Sequence, residues 1–90
     1  MKVRYDESFS RDIKKLRNKR IIEQLRNVII GLKEAGTLTE IRHLKKLEGY
    51  SNYYRIRIDQ YRLGMEIEHG TITLLRFLHR KDIYRNFPPG

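Results

Sequence analysis

The sequence contains no cysteine and no apolar run of transmembrane length. The first absence excludes disulfides and thiolate metal sites as the source of stability. The second leaves no membrane-spanning helix to expect. No apolar segment follows the positive residues of the opening MKVRYDESF, so no secretory leader is expected and a soluble cytoplasmic protein follows. Proline occurs only as Pro88-Pro89, where it stops the chain. The three histidines have no ligand spacing, and of the eleven scattered acidic residues only Glu66 and Glu68 share a predicted strand face. No metal or other cofactor is expected.

What the chain has in quantity is positive charge: 20 Lys and Arg against 11 Asp and Glu, a formal net charge of +9 and a pI near 10.1. Such a balance suits nucleic acid, an anionic membrane surface or an acidic protein, and it equally suits a merely solvated basic surface. Residues 1–41 carry ten basic and six acidic side chains, and residues 42–90 carry ten and five. The excess is spread along the domain, and no detachable basic tail explains it.

Ninety residues make a single domain, 1–90. Alternation over Lys2–Tyr5 predicts a short strand with Val3 and Tyr5 inward. Asp6 or Ser8 then caps a helix whose stripe is Phe9, Ile13 and Leu16. After a break near Asn18–Lys19, Ile21, Ile22, Leu25, Val28, Ile29 and Leu32 define a second helix running to about Glu34, with Gly36 as its left-handed cap. Two such helices with so short a join form an αα-hairpin. In Thr37–Glu48 the spacing of Leu38, Ile41, Leu44 and Leu47 fits another helical turn or a loop leading into a strand. Tyr53–Ile58, Tyr61–Glu68 and Thr71–Leu78 read as three strands joined at Asp59-Gln60 and His69-Gly70, followed by a helical turn over Asp82–Phe87. The fold class is α+β: an N-terminal strand and an αα-hairpin packed on one face of a small, mostly antiparallel four-stranded sheet, with a short C-terminal helical turn.

The stretch YYRIRIDQYRLGMEI, residues 53–67, places arginines inside these strands. Alternation puts Arg55 and Arg57 opposite the isoleucines of their own strand, and Arg62 opposite the apolar set of the next. Three guanidiniums therefore converge on the sheet face that the helices leave open. A half-buried antiparallel sheet turns some polar residues outward in any case. Three arginines with Tyr53 on the same face and Tyr84 following are better explained by RNA, which guanidinium forks and aromatic rings bind through phosphate contacts and base stacking. Arg76 and Lys81 are further candidates for RNA binding.

The element order, together with LEGYSNYYRIRIDQYRLGMEI and LHRKDIY, resembles the RelE/ParE superfamily of bacterial type II toxin–antitoxin toxins over essentially the whole chain. The specific part is YRIRIxxYR paired with HRKDIY about twenty residues later. The resemblance implies a ribosome-dependent, metal-independent mRNA endonuclease that inhibits translation, with ribosome, mRNA and a cognate antitoxin as partners. It assigns catalytic positions to Arg55, Arg57, Arg62, Arg80 and Tyr84. The RelE branch often carries lysines where this chain has Arg55 and Arg57, and arginine, unlike lysine, does not give up its proton.

Metal-free cleavage needs a base for the 2′-OH, an acid at the 5′-oxygen and positive charge on the phosphate. The arginines supply charge, which leaves Tyr84, His79 or His43 for the proton; His79 is the best titrating candidate by type. His79 and Arg80 alternate along the strand, so either can face the groove. Nothing is assigned to His43 or His69. Two alternatives stay open: a ParE-like inhibitor of DNA gyrase on the same scaffold, or a non-catalytic RNA-binding module. Oligomeric state is not encoded in any feature of the sequence.

Overall fold

The computed structural model describes residues 1–89. It contains β1 (Lys2–Tyr5), α1 (Glu7–Lys15), α2 (Lys19–Glu34), a 3-10 turn (Leu38–Glu40), β2 (Leu44–Lys46), β3 (Tyr53–Ile58), β4 (Tyr61–Glu68), β5 (Thr71–His79) and α3 (Ile83–Asn86).

Local chemistry fixes the helices. Asp6 is the N-cap of α1, its carboxylate accepting from the Ser8 amide at 3.0 Å. Asn18 caps α2 by accepting from the amides of Arg20 and Ile21. The expected cap at Gly36 is not formed. The helix ends at Glu34 as expected, but its cap is Ala35 with extended backbone, whose amide still reaches Gly31 O at 3.1 Å, and the Gly36 amide is taken by the Glu40 carboxylate. A side-chain acceptor there removes the need for a left-handed residue.

The sheet has five strands in the order β1-β5-β4-β3-β2, with β1–β5 parallel and the rest antiparallel. The strand beyond the four expected is β2. It pairs Leu44 with Ile56, Lys45 with Arg55 and Lys46 with Tyr54. Three residues are too few to display alternation, while the leucine spacing around them imitates a helix. At the β4–β5 turn His69 and Gly70 both have positive φ (50° and 76°), the backbone of a two-residue hairpin turn.

The main core lies between the helices and one sheet face. Phe9, Ile21, Leu25 and Leu32 of the helices meet Ile56, Ile58, Leu63, Met65, Ile67, Ile72, Leu74 and Phe77 of the sheet, all 8% exposed or less. Each such side chain contributes about 1.5–3 kcal/mol relative to exposure. A part-buried ion pair clamps α1 to β5. The Arg76 guanidinium forks onto Asp12, Nε to Oδ2 at 2.9 Å and Nη2 to Oδ1 at 3.0 Å, while the Phe77 amide also donates to Oδ2 at 3.0 Å.

The opposite sheet face is not left open along its whole length. Ile83 and Phe87 are 0% and 1% exposed yet stand outside the main core cluster. The C-terminal turn folds back over Gly64 of β4 and caps that face with a second, smaller apolar contact. Any Cβ at position 64 would lie 2.8 Å from ring atoms of Phe87, so glycine lets the ring settle onto the sheet backbone.

Candidate functional site

The register of the central strands decides which basic side chains are neighbours. Lys45, Arg55 and Gly64 lie side by side across β2, β3 and β4, and Arg57 lies opposite Arg62. Cross-strand neighbours have Cβ atoms about 4.5–5.5 Å apart, so the latter pair sets two guanidiniums close together. Lys45 belongs to the site and was missed because β2 was missed. Once β2 is recognised, alternation alone assigns Lys45 to the arginine face and Leu44 to the core.

The electrostatic surroundings of Arg62 reflect the same convergence. Burial is the main cause that draws its pKa below the ordinary value, and the like charge of Arg57 is the next. Tyr84 acts in the opposite direction, and Arg55 and Arg80 add to the lowering. One guanidinium is thus within electrostatic reach of the other four carried-over positions. Arg62 remains a cation throughout. It also donates to the backbone carbonyls of Asp59 (3.0 Å) and Tyr61 (2.9 Å), which fixes it over the β3–β4 turn.

Arg55 is the most confined of the group, at 8% exposure. The expectation that all three arginines lie on an open sheet face is therefore corrected for Arg55, which neighbouring β2 and the returning C-terminal segment enclose. The ion pairs among the described residues engage Arg11, Arg20, Arg26 and Arg76. None of them gives Arg55 a carboxylate. A confined cation without a counter-charge is costly, and an anion that reaches it gains what the protein has left uncompensated.

Two adjoining grooves open onto Arg55. One, of about 470 Å³, is lined by His43, Leu44, Lys45, Arg55 and Arg57. The other, of about 360 Å³, is lined by Lys45, Lys46, Leu47, Glu48, Arg55 and Tyr84. Lys45 and Arg55 form the shared wall. Tyr84 stands 56% exposed at its groove, and Arg57 and Arg80 are exposed as well.

Other expected site residues lie apart from this cluster. His79 pairs with Tyr61 across β4–β5 and sits edge-on to its ring at 5.6 Å; Tyr61 in turn stacks on Phe77 of the core. That puts His79 on the helix-bearing face, so of the alternating pair it is Arg80 that shares the neighbourhood of Arg62. The His79 ring accepts from the Lys81 amide through Nδ1 at 3.2 Å. Arg76 has its guanidinium committed to Asp12, which raises its pKa chiefly through that hydrogen bond and removes it from the free cations. Tyr53 is half-buried between Tyr50 and Phe87, edge-on to both at 5.6 and 5.8 Å. Lys81 is exposed at the turn before α3. Glu66 and Glu68 are bridged by Asn52 Nδ2 at 3.0 and 2.7 Å. Among the described residues no group of three His, Cys, Asp or Glu is placed to hold a metal ion, and no helix is long and apolar enough to cross a membrane.

A five-stranded sheet with a helical hairpin on one side and, on the other, a band of arginines with a tyrosine and no carboxylate partner among the described residues defines a small α+β protein with one basic face. The family model for the ParE toxin of type II toxin–antitoxin systems matches residues 3–84, and the chain belongs to that family. It is 38% identical over 89 residues to Toxin RelE3 of Methanocaldococcus jannaschii, covering 98% of this chain and 100% of the relative. Among solved structures it resembles a chain of the RelB-RelE antitoxin-toxin complex from Methanococcus jannaschii, with a TM-score of 0.80 and 35% identity over 94% of this chain and 99% of that one. A chain of the RelBE2 toxin-antitoxin complex from Mycobacterium tuberculosis matches with a TM-score of 0.68 and 28% identity, covering 88% and 96%.

Proposed function

We propose that this chain is the toxin of a type II toxin–antitoxin pair and acts as a ribosome-dependent, metal-independent mRNA endonuclease. The observation that carries the reading is the confined Arg55, without a carboxylate partner among the described residues, in one cluster with Arg57, Arg62, Arg80 and Tyr84. Its similarity to Toxin RelE3 favours RNA over another polyanion.

In the reaction the 2′-oxygen forms a bond to the adjacent phosphorus and the bond from phosphorus to the 5′-oxygen breaks, leaving a cyclic phosphate and a 5′-hydroxyl. The 2′-OH proton goes to a base and the 5′-oxygen takes one from an acid. Negative charge builds on the phosphate oxygens, which Arg55 and Arg62, both held in place and partly screened from water, stabilise as preorganised cations. Arg57, Arg80 and Lys45 hold the flanking backbone. In this reading the Tyr84 hydroxyl protonates the leaving oxygen and its exposed ring stacks on a base.

The partner that silences such a face is an antitoxin with an acidic or amphipathic segment. The RelB chains in the complexes this fold resembles support that assignment.

A purified translation system tests the reading. Messenger RNA should be cut in the presence of ribosomes and a metal chelator that leaves the ribosomes intact, and remain whole with toxin alone. A block of DNA supercoiling with messages left intact would instead identify a ParE-like gyrase inhibitor, and growth arrest with neither effect a non-catalytic RNA-binding module.

A further inference from the structure

We propose that His43 is the general base of this site, an inference that rests on the endonuclease reading above. None of the arginines can accept the 2′-OH proton. His79 lies on the other sheet face against Tyr61, and His69 lies in the turn between β4 and β5. His43 lines the larger groove with Lys45, Arg55 and Arg57, and with Arg57 it also lines the adjoining hollow of about 400 Å³ beneath α2. Its ring is exposed and has no hydrogen-bond partner among the described residues, which leaves a nitrogen free to accept.

The backbone sets the direction of the side chain. His43 has φ 63°, in the left-handed region that a non-glycine residue enters only at a cost. Asp59 (φ 56°) and His69 (φ 50°) adopt the same conformation at two other turns, so the angle marks a turn, and what matters is where this turn aims the imidazole. Here it occurs in the residue immediately before β2 and delivers the imidazole to the end of the groove. The charged groups facing it are Lys45 from β2, Arg55 and Arg57 from β3, and Glu40 and Arg42 from the preceding turn; α2 contributes Asn27 and apolar side chains.

Displacement at phosphorus requires entering and leaving oxygens on opposite sides. Arg55 and Lys45 wall both grooves, with His43 in one and Tyr84 in the other. A phosphate held on Arg55 therefore has an imidazole on one flank and a phenol on the other. His43 takes the 2′-OH proton as the new bond forms, the Tyr84 hydroxyl protonates the departing 5′-oxygen, and solvent returns both groups to their starting states.

The test is single-turnover mRNA cleavage on ribosomes from pH 5.5 to 8.5 for the parent, His43→Asn, His43→Gly and His69→Asn. Asparagine and glycine both accept a left-handed backbone, so the fold is spared, and thermal unfolding verifies this. The parent should lose rate towards the acid end of this range, where an imidazole base takes up its proton. His43→Asn should lower the rate about 10²–10⁴-fold and abolish that acid limb. Added imidazole should partly restore His43→Gly, and His69→Asn should keep the limb. A His43→Asn enzyme that retains the acid limb, whatever its rate, overturns the proposal, because the titrating base would then be elsewhere. A parent that cuts no message overturns the endonuclease reading itself.

Discussion

The ring of Phe87 occupies the space that a side chain on Gly64 would need: a Cβ there would meet Phe87 Cγ and Cδ2 at 2.8 Å. This seat anchors the C-terminal turn that carries Tyr84. Gly64→Ala overpacks it, with a cost of about 1–3 kcal/mol, and Phe87→Ala empties it, with a cost of about 3–5 kcal/mol. Because both act on one contact, the double variant should lose less stability than the sum of the two. Urea unfolding of the four proteins checks this. Additive losses would mean that the two residues are not coupled.

Arg62→Ala should lower mRNA cleavage about 10²–10³-fold, the usual cost of removing one preorganised donor or cation. Its loss forgoes the hydrogen bonds to Asp59 and Tyr61 but also relieves repulsion with Arg57, so the urea midpoint should move little. Toxicity equal to the parent's at matched expression would remove Arg62 from the site.

The helices and the arginine face were legible in the sequence because both rest on periodicity. Phe9, Ile13 and Leu16 on α1, and Ile21 to Leu32 on α2, repeat every three or four residues, and Arg55 and Arg57 alternate with isoleucines. What escaped has no period. Strand β2 is three residues long, and without it Lys45 and His43 have no address. Arg76 sits beside a register shift at Gly64/Met65, where alternation ceases to predict direction, and its partner Asp12 is 64 residues away. The burial of Arg55 follows from β2 and from a C-terminal segment that returns across the sheet, a tertiary event with no local signature.

The Asp12–Arg76 pair should prove structural. Removing one partner of a buried ion pair leaves the other uncompensated and typically costs about 3–5 kcal/mol. Asp12→Ala should therefore unfold at much lower urea, since the Phe77 amide loses its acceptor too. Arg76→Met keeps the aliphatic volume but strands the carboxylate, and should be destabilised similarly. Normal stability with impaired RNA binding in Arg76→Met would instead return Arg76 to the RNA face.

Glu66 sets a pH dependence. Burial, and then the neighbouring Glu68, raise its pKa above the ordinary carboxyl value. A carboxyl with a raised folded pKa favours the fold while protonated, and that contribution is lost as pH rises through the folded value. At neutral pH the ionised Glu66 is a liability, so Glu66→Gln should melt a few degrees higher than the parent at pH 7.5. The gap should close towards pH 4. A gap that widens on acidification would contradict the assigned sign.

Tyr84 is the residue whose role a single hydroxyl can separate. It is 56% exposed while its neighbours on the same turn, Ile83 and Phe87, are 0% and 1% exposed, so burial of the turn does not depend on it. Tyr84→Phe keeps the ring face for stacking and removes only the O–H. Proton transfer by a positioned group is worth about 10²–10⁴ in rate. The phenylalanine variant should therefore bind stalled ribosomes like the parent, melt at the same temperature, and cut message at least a hundredfold more slowly (about 2.7 kcal/mol of barrier). Tyr84→Ala should weaken binding as well, because the stacking surface goes too. Full activity in Tyr84→Phe with loss only in Tyr84→Ala would leave the tyrosine a stacking platform and move the leaving-group proton to solvent.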